Sequence, residues 1–374
     1  MAEKPKVLVT GASGSLGLRL LEQLSDFLVI GVVLNGPGAN GKGADTNPAN
    51  LTTFKNTIFE KTIFEKIDLA EERSCDQLVA LLRQYRPESL VHLAFATGPA
   101  PAGSPERQRM WHTNVAGTGR VAEAIAEYNR MLGTVEKFIY PSCAAVYGPD
   151  LPKPVVETMP LQAETLPHVL PYIKDKKETD LVIQARARNL RQCKTYLLRP
   201  HTYTGETARS LLMSVLRGVP EGNGILAKRL RRKGRRLPVL VPSGPYLERK
   251  RQFVHVDDMA RLIAHILRRK QADPQLSVMN VAGRGEPVLL GECLQIAKAK
   301  VRRLPGKALW QQAHGLLSSL GISTVPPEAL PYLFGSQTTD TARLRVFLGN
   351  DYRNVIQYTS AEALRFSFSE ASPT

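Results

Sequence analysis

The chain of 374 residues is 43% hydrophobic and 22% charged, the balance of a folded protein with room for one large or two modest domains rather than of a disordered tail. Its longest apolar run, "FLVIGVVL" (27–34), is too short to span a bilayer. The amino-terminal "MAEKPK" leads into a short apolar segment without a secretory-signal core, so the expected location is cytoplasmic. The formal charge of +16 points to anionic ligands, whether phosphates, nucleic acid or acidic lipid.

Short β-branched runs alternate with longer helical patterns over the first 200 residues. "KVLVTG" (6–11) predicts a buried strand, and "LGLRLLEQLSDF" (16–27) a helix with leucines at helical spacing. "LVIGVVLN" (28–35) is a second strand and "TIFEKIDL" (62–69) contains a third. Running into it, "TIFEKTIFEK" (57–66) is a tandem duplication, read as an insertion in the tolerant link before the third strand. "SCDQLVALLRQYRP" (74–87) is an amphipathic helix, "SLVHLAFA" (89–96) a fourth strand and "NVAGTGRVAEAIAEYN" (114–129) a helix rich in small residues. "VEKFIYPS" (135–142) and "KTYLLRP" (194–200) are strands flanking the helix "YIKDKKETDLVIQARAR" (172–188). Nearly continuous apolar strands alternating with helices predict a parallel sheet covered on both faces, an α/β Rossmann-type doubly wound fold.

After residue 205 the rhythm breaks, and proline, glycine and basic residues dominate 218–251. A further strand and helix follow in "RQFVHVDDMARLIAHILRR" (251–269), with Asp257 as the expected N-cap, and then a short strand in "SVMNVAG" (277–283). The expected division is a dinucleotide-binding domain over 1–204, completed by 252–283, and a smaller C-terminal substrate lobe from 205–251 and 284–374. Cys75, Cys143, Cys193 and Cys293 stand apart, with no CxxC pair and no histidine cluster, so neither a disulfide framework nor a metal site is expected. Residues 228–236, "KRLRRKGRR", hold seven basic side chains in nine positions.

"VLVTGASGSLG" (7–17) places Gly11, Gly14 and Gly17, with Ala12, Ser13, Ser15 and Leu16 between them, directly between a strand and a helix. Glycines let the backbone turn sharply and approach a pyrophosphate, and the helix N-terminus offers it free N–H groups. The spacing TGxxGxxG from Thr10 resembles that of the extended short-chain dehydrogenase/reductase superfamily, which includes the NAD-dependent epimerases and dehydratases such as UDP-glucose 4-epimerase. "VHLAFA" (91–96), "NVAGT" (114–118), "AVYG" (145–148), "LLRP" (197–200), "RQFVHVDDMA" (251–260) and "NVAGRGEPV" (280–288) follow in that superfamily's order.

The resemblance implies that Asp68 and Leu69 lie near the adenine ring of NAD and that Leu93, Ala94 and Ala96 line the cofactor, with Asn114 in a supporting segment. Asn35 ends the second strand where an aspartate would bind the ribose, which leans the choice to NAD; NADP, with Lys42 reaching its phosphate, is the alternative. Two YxxxK pairs occur, Tyr172 with Lys176 and Tyr246 with Lys250, and only the first opens the helix before "LLRP", where the superfamily keeps its pair. On a helix these residues share a face, and an ammonium there is expected to draw the phenol towards neutral pH. Tyr172 then takes a proton from a substrate hydroxyl as hydride leaves the same carbon.

The hydroxyl that should assist falls three positions before the valine of "VYG", on Cys143; Ser142, one residue earlier, is expected to point the other way. Ala144 and Ala145 replace the acidic residues of the dehydratase branch, so dehydration is not expected. Arg249 and Arg251 are the candidates for a substrate diphosphate. The resemblance thus implies an NAD(P)-dependent epimerase or oxidoreductase acting on a secondary alcohol of a nucleotide-sugar, with a homodimer as the assembly considered. One rival is a non-catalytic dinucleotide-binding member that uses its basic surface for RNA or another anionic partner such as an acidic membrane. A second is a reductase of apolar ketones. The segment 300–335 is expected to cover a pocket or a subunit interface, with Trp310 as its anchor.

Overall fold

A computed structural model describes residues 3–34, 62–97, 100, 103–131, 133–151, 153–162, 170–190, 192–205, 208 and 210–368. Seven parallel strands form the central sheet: β1 (Lys6–Thr10), β2 (Leu28–Val33), β3 (Thr62–Lys66), β4 (Ser89–His92), β5 (Lys137–Pro141), β6 (Lys194–Pro200) and β11 (Leu276–Val281). Their order is β11-β6-β5-β4-β1-β2-β3. The chain runs outward from β1 to β3, then returns to the other side of β1 with β4. A crevice therefore opens between the carboxyl ends of β1 and β4, the place where such sheets bind ligands. The second copy of the duplicated pentapeptide is β3 itself, paired with β2 from Val29↔Thr62 to Val33↔Lys66.

Alternation along each strand feeds two cores. Val7, Val9 and Val29 face one side, with α1 (Ser15–Gln23) and α8 (Val256–Arg268) packed over them. Leu8, Ile30 and Leu90 face the other, under α2 (Ser74–Tyr85), α4 (Gly117–Met131) and α5 (Pro171–Ala187). Between β4 and α4 lie α3 (Pro105–Trp111) and a π-helical turn, His112–Ala116.

"RQFVHV" does not enter the large sheet. Its β9 (Lys250–Arg251) pairs antiparallel with β12 (Val288–Leu289), and β10 (Phe253–His255) pairs with β7 (Thr202–Thr204). The N-cap of α8 is His255, whose Nδ1 accepts the N–H of Asp257 at 3.2 Å; Asp257 lies inside the first turn instead of capping it. An imidazole that is buried and already beside the helix start satisfies that N–H first.

A third apolar cluster gathers Phe253, Trp310, Leu330 and Phe334 with neighbours between 211 and 364. Its helices are α6 (Leu211–Arg217), α7 (Ile225–Arg232), α9 (Leu290–Ile296), α10 (Gly306–Ser319) and α11 (Leu330–Phe334). They surround the parallel pair of β8 (Val239–Pro242) and β13 (Val301–Leu304). Trp310 is fully buried, donates its indole N–H to the Leu240 carbonyl at 2.6 Å and stacks on His314. Among the described residues all four cysteines are free, and no helix is long and apolar enough to cross a membrane.

Candidate active site

Gly11 has φ +70°, and a Cβ there would stand 2.5 Å from the backbone nitrogen of Ala94. A Cβ on Gly17 would stand 2.5 Å from the carbonyl oxygens of Gly11 and Ala12. Both glycines are thus required by backbone crowding. Gly14 caps α1 without a side-chain hydrogen bond, and the first turn carries no acidic residue. Ser13 and Gly14 are exposed. A glycine-rich turn at the positive end of a helix fits an anionic pyrophosphate.

The tetrapeptide Leu93–Ala96, which leaves β4 at the crevice, forms one wall of this turn. Its other side meets the Tyr172–Lys176 pair. The Phe95 ring lies edge-on to Tyr172, 5.5 Å between centroids, and the Lys176 ammonium sits 3.8 Å from the Phe95 centroid. Lys176 Nζ donates to the Pro141 carbonyl at 2.8 Å and lies 3.4 Å from the Tyr140 hydroxyl. Burial pulls this lysine down to about 8. Tyr172, in the first turn of α5, keeps part of its surface accessible.

Tyr172 is not acidified, contrary to the expectation from its spacing to Lys176. Desolvation by its neighbours holds the phenol well above its ordinary value, with Cys143, Tyr203 and Tyr140 adding to the rise. The ammonium that should oppose this faces Phe95 and Tyr140. Tyr172 is a protonated phenol at neutral pH.

The 3₁₀ turn Ala144–Tyr147 follows β5 and sets Cys143 at the site. A charge on its sulfur would be felt by Tyr172, Tyr203, Tyr332 and Lys176 alike, so these side chains lie near it. Burial raises this thiol to about 11, so it stays protonated. Ser142 Oγ is buried with no hydrogen-bond partner. A thiol donates weakly, and exchanging it for a hydroxyl restores a hydrogen bond worth roughly 1–3 kcal/mol in a closed site. Cys143→Ser is therefore expected to preserve or raise turnover, measured by steady-state kinetics; a tenfold loss, at the scale of about 1.4 kcal/mol, would give the thiol a role of its own.

Two polar networks hold these parts. Asp175, fully buried between Tyr172 and Lys176 in sequence, accepts both guanidinium nitrogens of Arg107, at 2.5 and 3.0 Å, and the Asn114 amide at 3.0 Å. Asn114 in turn clasps Ala96, accepting its N–H at 2.6 Å and donating to its carbonyl at 3.0 Å. Its side chain is thus spent on tying the tetrapeptide to α5. In the second network Arg199 of "LLRP" forms a bidentate pair with Asp180, at 2.9 and 2.8 Å, and donates to the Tyr147 hydroxyl of "VYG" at 2.7 Å. Tyr147 donates to Asn280 of "NVAG" at 2.8 Å. Three motifs far apart in sequence are one buried assembly. His92 joins β1 to α4, bonded to Thr10 at 2.6 Å and Thr118 at 3.0 Å; burial lowers it to about 3, a neutral core residue.

After β3, Asp68 accepts the Ala70 N–H at 3.0 Å and pairs with Arg109 at 2.6 Å, while Leu69 is buried and its carbonyl accepts from Arg120 at 3.0 Å. Asn35 and Lys42 lie outside the described residues. Arg251 is 2% exposed and donates to the Gly335 carbonyl at 2.9 Å, with no carboxylate in ion-pair contact among the described residues. Desolvation lowers it to about 10, which leaves it charged. Arg249 is more exposed and faces Asp150 at 3.4 Å. Helix α11 links this corner to the tyrosine: Tyr332 packs on Ile173 and Tyr172, and Gly335 follows three residues later. Tyr246 and Lys250 share no helix, since the 3₁₀ turn of Tyr246 ends at Glu248 and Lys250 is already in β9.

A glycine turn at the reversal of strand order, faced across one tetrapeptide by a tyrosine and a lysine, defines a doubly wound protein of the dinucleotide-binding class. The sequence model of the NAD dependent epimerase/dehydratase family matches residues 7–282, and the chain belongs to that family. It is 32% identical over 130 residues to a UDP-glucose 4-epimerase of Erwinia amylovora, a match spanning 34% of each chain, so it covers about a third of that relative's length. A UDP-glucuronic acid 4-epimerase of Bacillus cereus, solved as a point mutant with UDP-4-deoxy-4-fluoro-glucuronic acid and NAD, superposes with a TM-score of 0.63 at 18% identity, over 97% of this chain and 98% of that one. The UDP-glucose 4-epimerase of Thermus thermophilus, in complex with NAD, gives 0.62 at 19% identity, over 98% and 99%. These structures share the fold.

Proposed function

We propose that the protein is an NAD-dependent epimerase or oxidoreductase that acts on a secondary alcohol of a nucleotide-sugar. The observation that carries this reading is the tetrapeptide 93–96, against which the phosphate turn at Gly11 and the Tyr172–Lys176 pair both pack. Gly11, Gly14 and Gly17, with the first turn of α1, would hold the pyrophosphate of NAD, the cofactor named in the family's description. NAD, when bound, accepts and returns hydride at the sugar carbon. Tyr172 moves the proton at the oxygen on that carbon. Desolvation favours its neutral phenol, so it is set to give its proton to a carbonyl oxygen; the reverse transfer accompanies oxidation of the alcohol. Lys176, held at about 8, supplies a cation one turn away, and Arg251 is the candidate for the diphosphate.

The test is direct. Purified protein is titrated with NAD and NADP, then incubated with UDP-glucose, UDP-galactose and the two UDP-hexuronic acids, and products are followed by NMR. Interconversion at one sugar carbon without net reduction of cofactor supports an epimerase, and reduced cofactor in step with product supports a dehydrogenase. No binding of either dinucleotide would end this reading.

A further inference from the structure

The basic stretch 228–236 takes no part in the chemistry above, and the structure gives it an apolar companion. Helix α7 begins with Ile225, 86% exposed, and Leu226, 47% exposed; only Ala227 turns inward. Helix α10 buries Trp310 and His314 and turns Leu309, Leu316 and, just past its end, Leu320 outward. These three fall at i, i+7 and i+11, one stripe along the helix. The N–H of Gly224 donates to the Gly321 carbonyl at 2.9 Å, and that of Gly222 to the Ile322 carbonyl at 3.0 Å. The start of α7 and the end of α10 are thereby joined, so that both apolar sets lie at one corner of the small lobe.

Around this corner lie the cations. Lys228, Arg229, Arg232, Lys233, Arg235 and Arg236 are exposed. None has an acidic partner among the described residues. Arg231 is spent on the carbonyls of Pro220 and Gly222. Lys300, Arg302 and Arg303 extend the belt, because Val239 pairs with Val301 a few residues after Arg236. Glu221, which accepts from Thr324 at 3.2 Å, is the acid at this corner.

We propose that this corner docks onto the surface of an anionic lipid bilayer. Ile225, Leu226, Leu316 and Leu320 enter the boundary between headgroups and acyl chains, and the lysines and arginines meet the lipid phosphates. The side chains favour this occupant over two others. Nucleic-acid surfaces interleave their cations with aromatic rings that stack bases, and here the interleaved residues are aliphatic. A second copy seated symmetrically on the same patch would bring two cationic belts face to face.

The experiment is co-sedimentation of the full chain with vesicles of phosphatidylcholine alone and of phosphatidylcholine containing about a third phosphatidylglycerol. Binding is expected to the anionic vesicles only, weakening as salt is raised. Ile225→Asp with Leu226→Asp, and separately Arg232→Glu with Lys233→Glu, are each expected to weaken it about tenfold or more. Circular dichroism melting checks that the variants fold; all four positions are exposed. The proposal is overturned by absence of binding to anionic vesicles, or by binding that the aspartate pair leaves unchanged. It is equally overturned by tighter binding of polyuridylic acid that the aspartate pair does not affect, which marks a nucleic-acid surface, or by self-association that Leu316→Asp abolishes, which marks a second copy.

Discussion

Tyr172→Phe is expected to lower turnover on a nucleotide-sugar by about 10²- to 10⁴-fold, the range that a positioned proton-transfer group contributes. The substitution removes one oxygen and leaves the ring, so the edge contact with Phe95 and the packing on Ile173 and Tyr332 persist. Dinucleotide affinity and melting temperature should therefore hold while kcat falls and KM changes little. That pattern separates a group acting in the transition state from one that merely binds. Turnover within tenfold of the parent would remove Tyr172 from the chemistry, whatever the glycine turn binds.

Asp180→Ala carries the largest expected cost in stability. Its carboxylate is fully buried and takes two hydrogen bonds from Arg199, itself 2% exposed. Removing one partner strands a guanidinium inside the protein, at a cost of about 3–5 kcal/mol. A domain has only about 5–15 kcal/mol to lose, so the variant should unfold at far lower urea concentration. Tyr147 and Asn280 share the network, which means that the damage reaches the turn after β5 that carries Cys143. A midpoint shift corresponding to less than about 1 kcal/mol would show that the pair behaves as a surface ion pair does.

What could be read in advance follows the reach of the interactions. Gly11 and Gly17 were legible because their need for a missing Cβ is local backbone geometry, visible in the spacing itself. The parallel sheet was legible because strands buried on both faces become continuous apolar runs. Phe95, Asp175 and Arg107 were not singled out, since their roles arise from contacts such as the 68-residue span between Arg107 and Asp175. The acidity of Tyr172 was misjudged for a related reason: spacing places the lysine one turn away, but its direction is set by Phe95 and Tyr140, and desolvation comes from residues across the fold. The cap of α8 went to His255 instead of Asp257 because burial of an imidazole is a tertiary fact.

The sulfur at position 143 also bears on how this protein meets oxidants. The thiolate is the form that attacks peroxides and alkylating reagents, and a thiol held at about 11 exposes only about one part in ten thousand of it at pH 7. Cys75, Cys193 and Cys293 are likewise raised by burial. A cysteine at the heart of the proposed site is thus kept chemically quiet by the same desolvation that keeps Tyr172 protonated, and a stressed cell could lose its reactive thiols elsewhere before it lost this one.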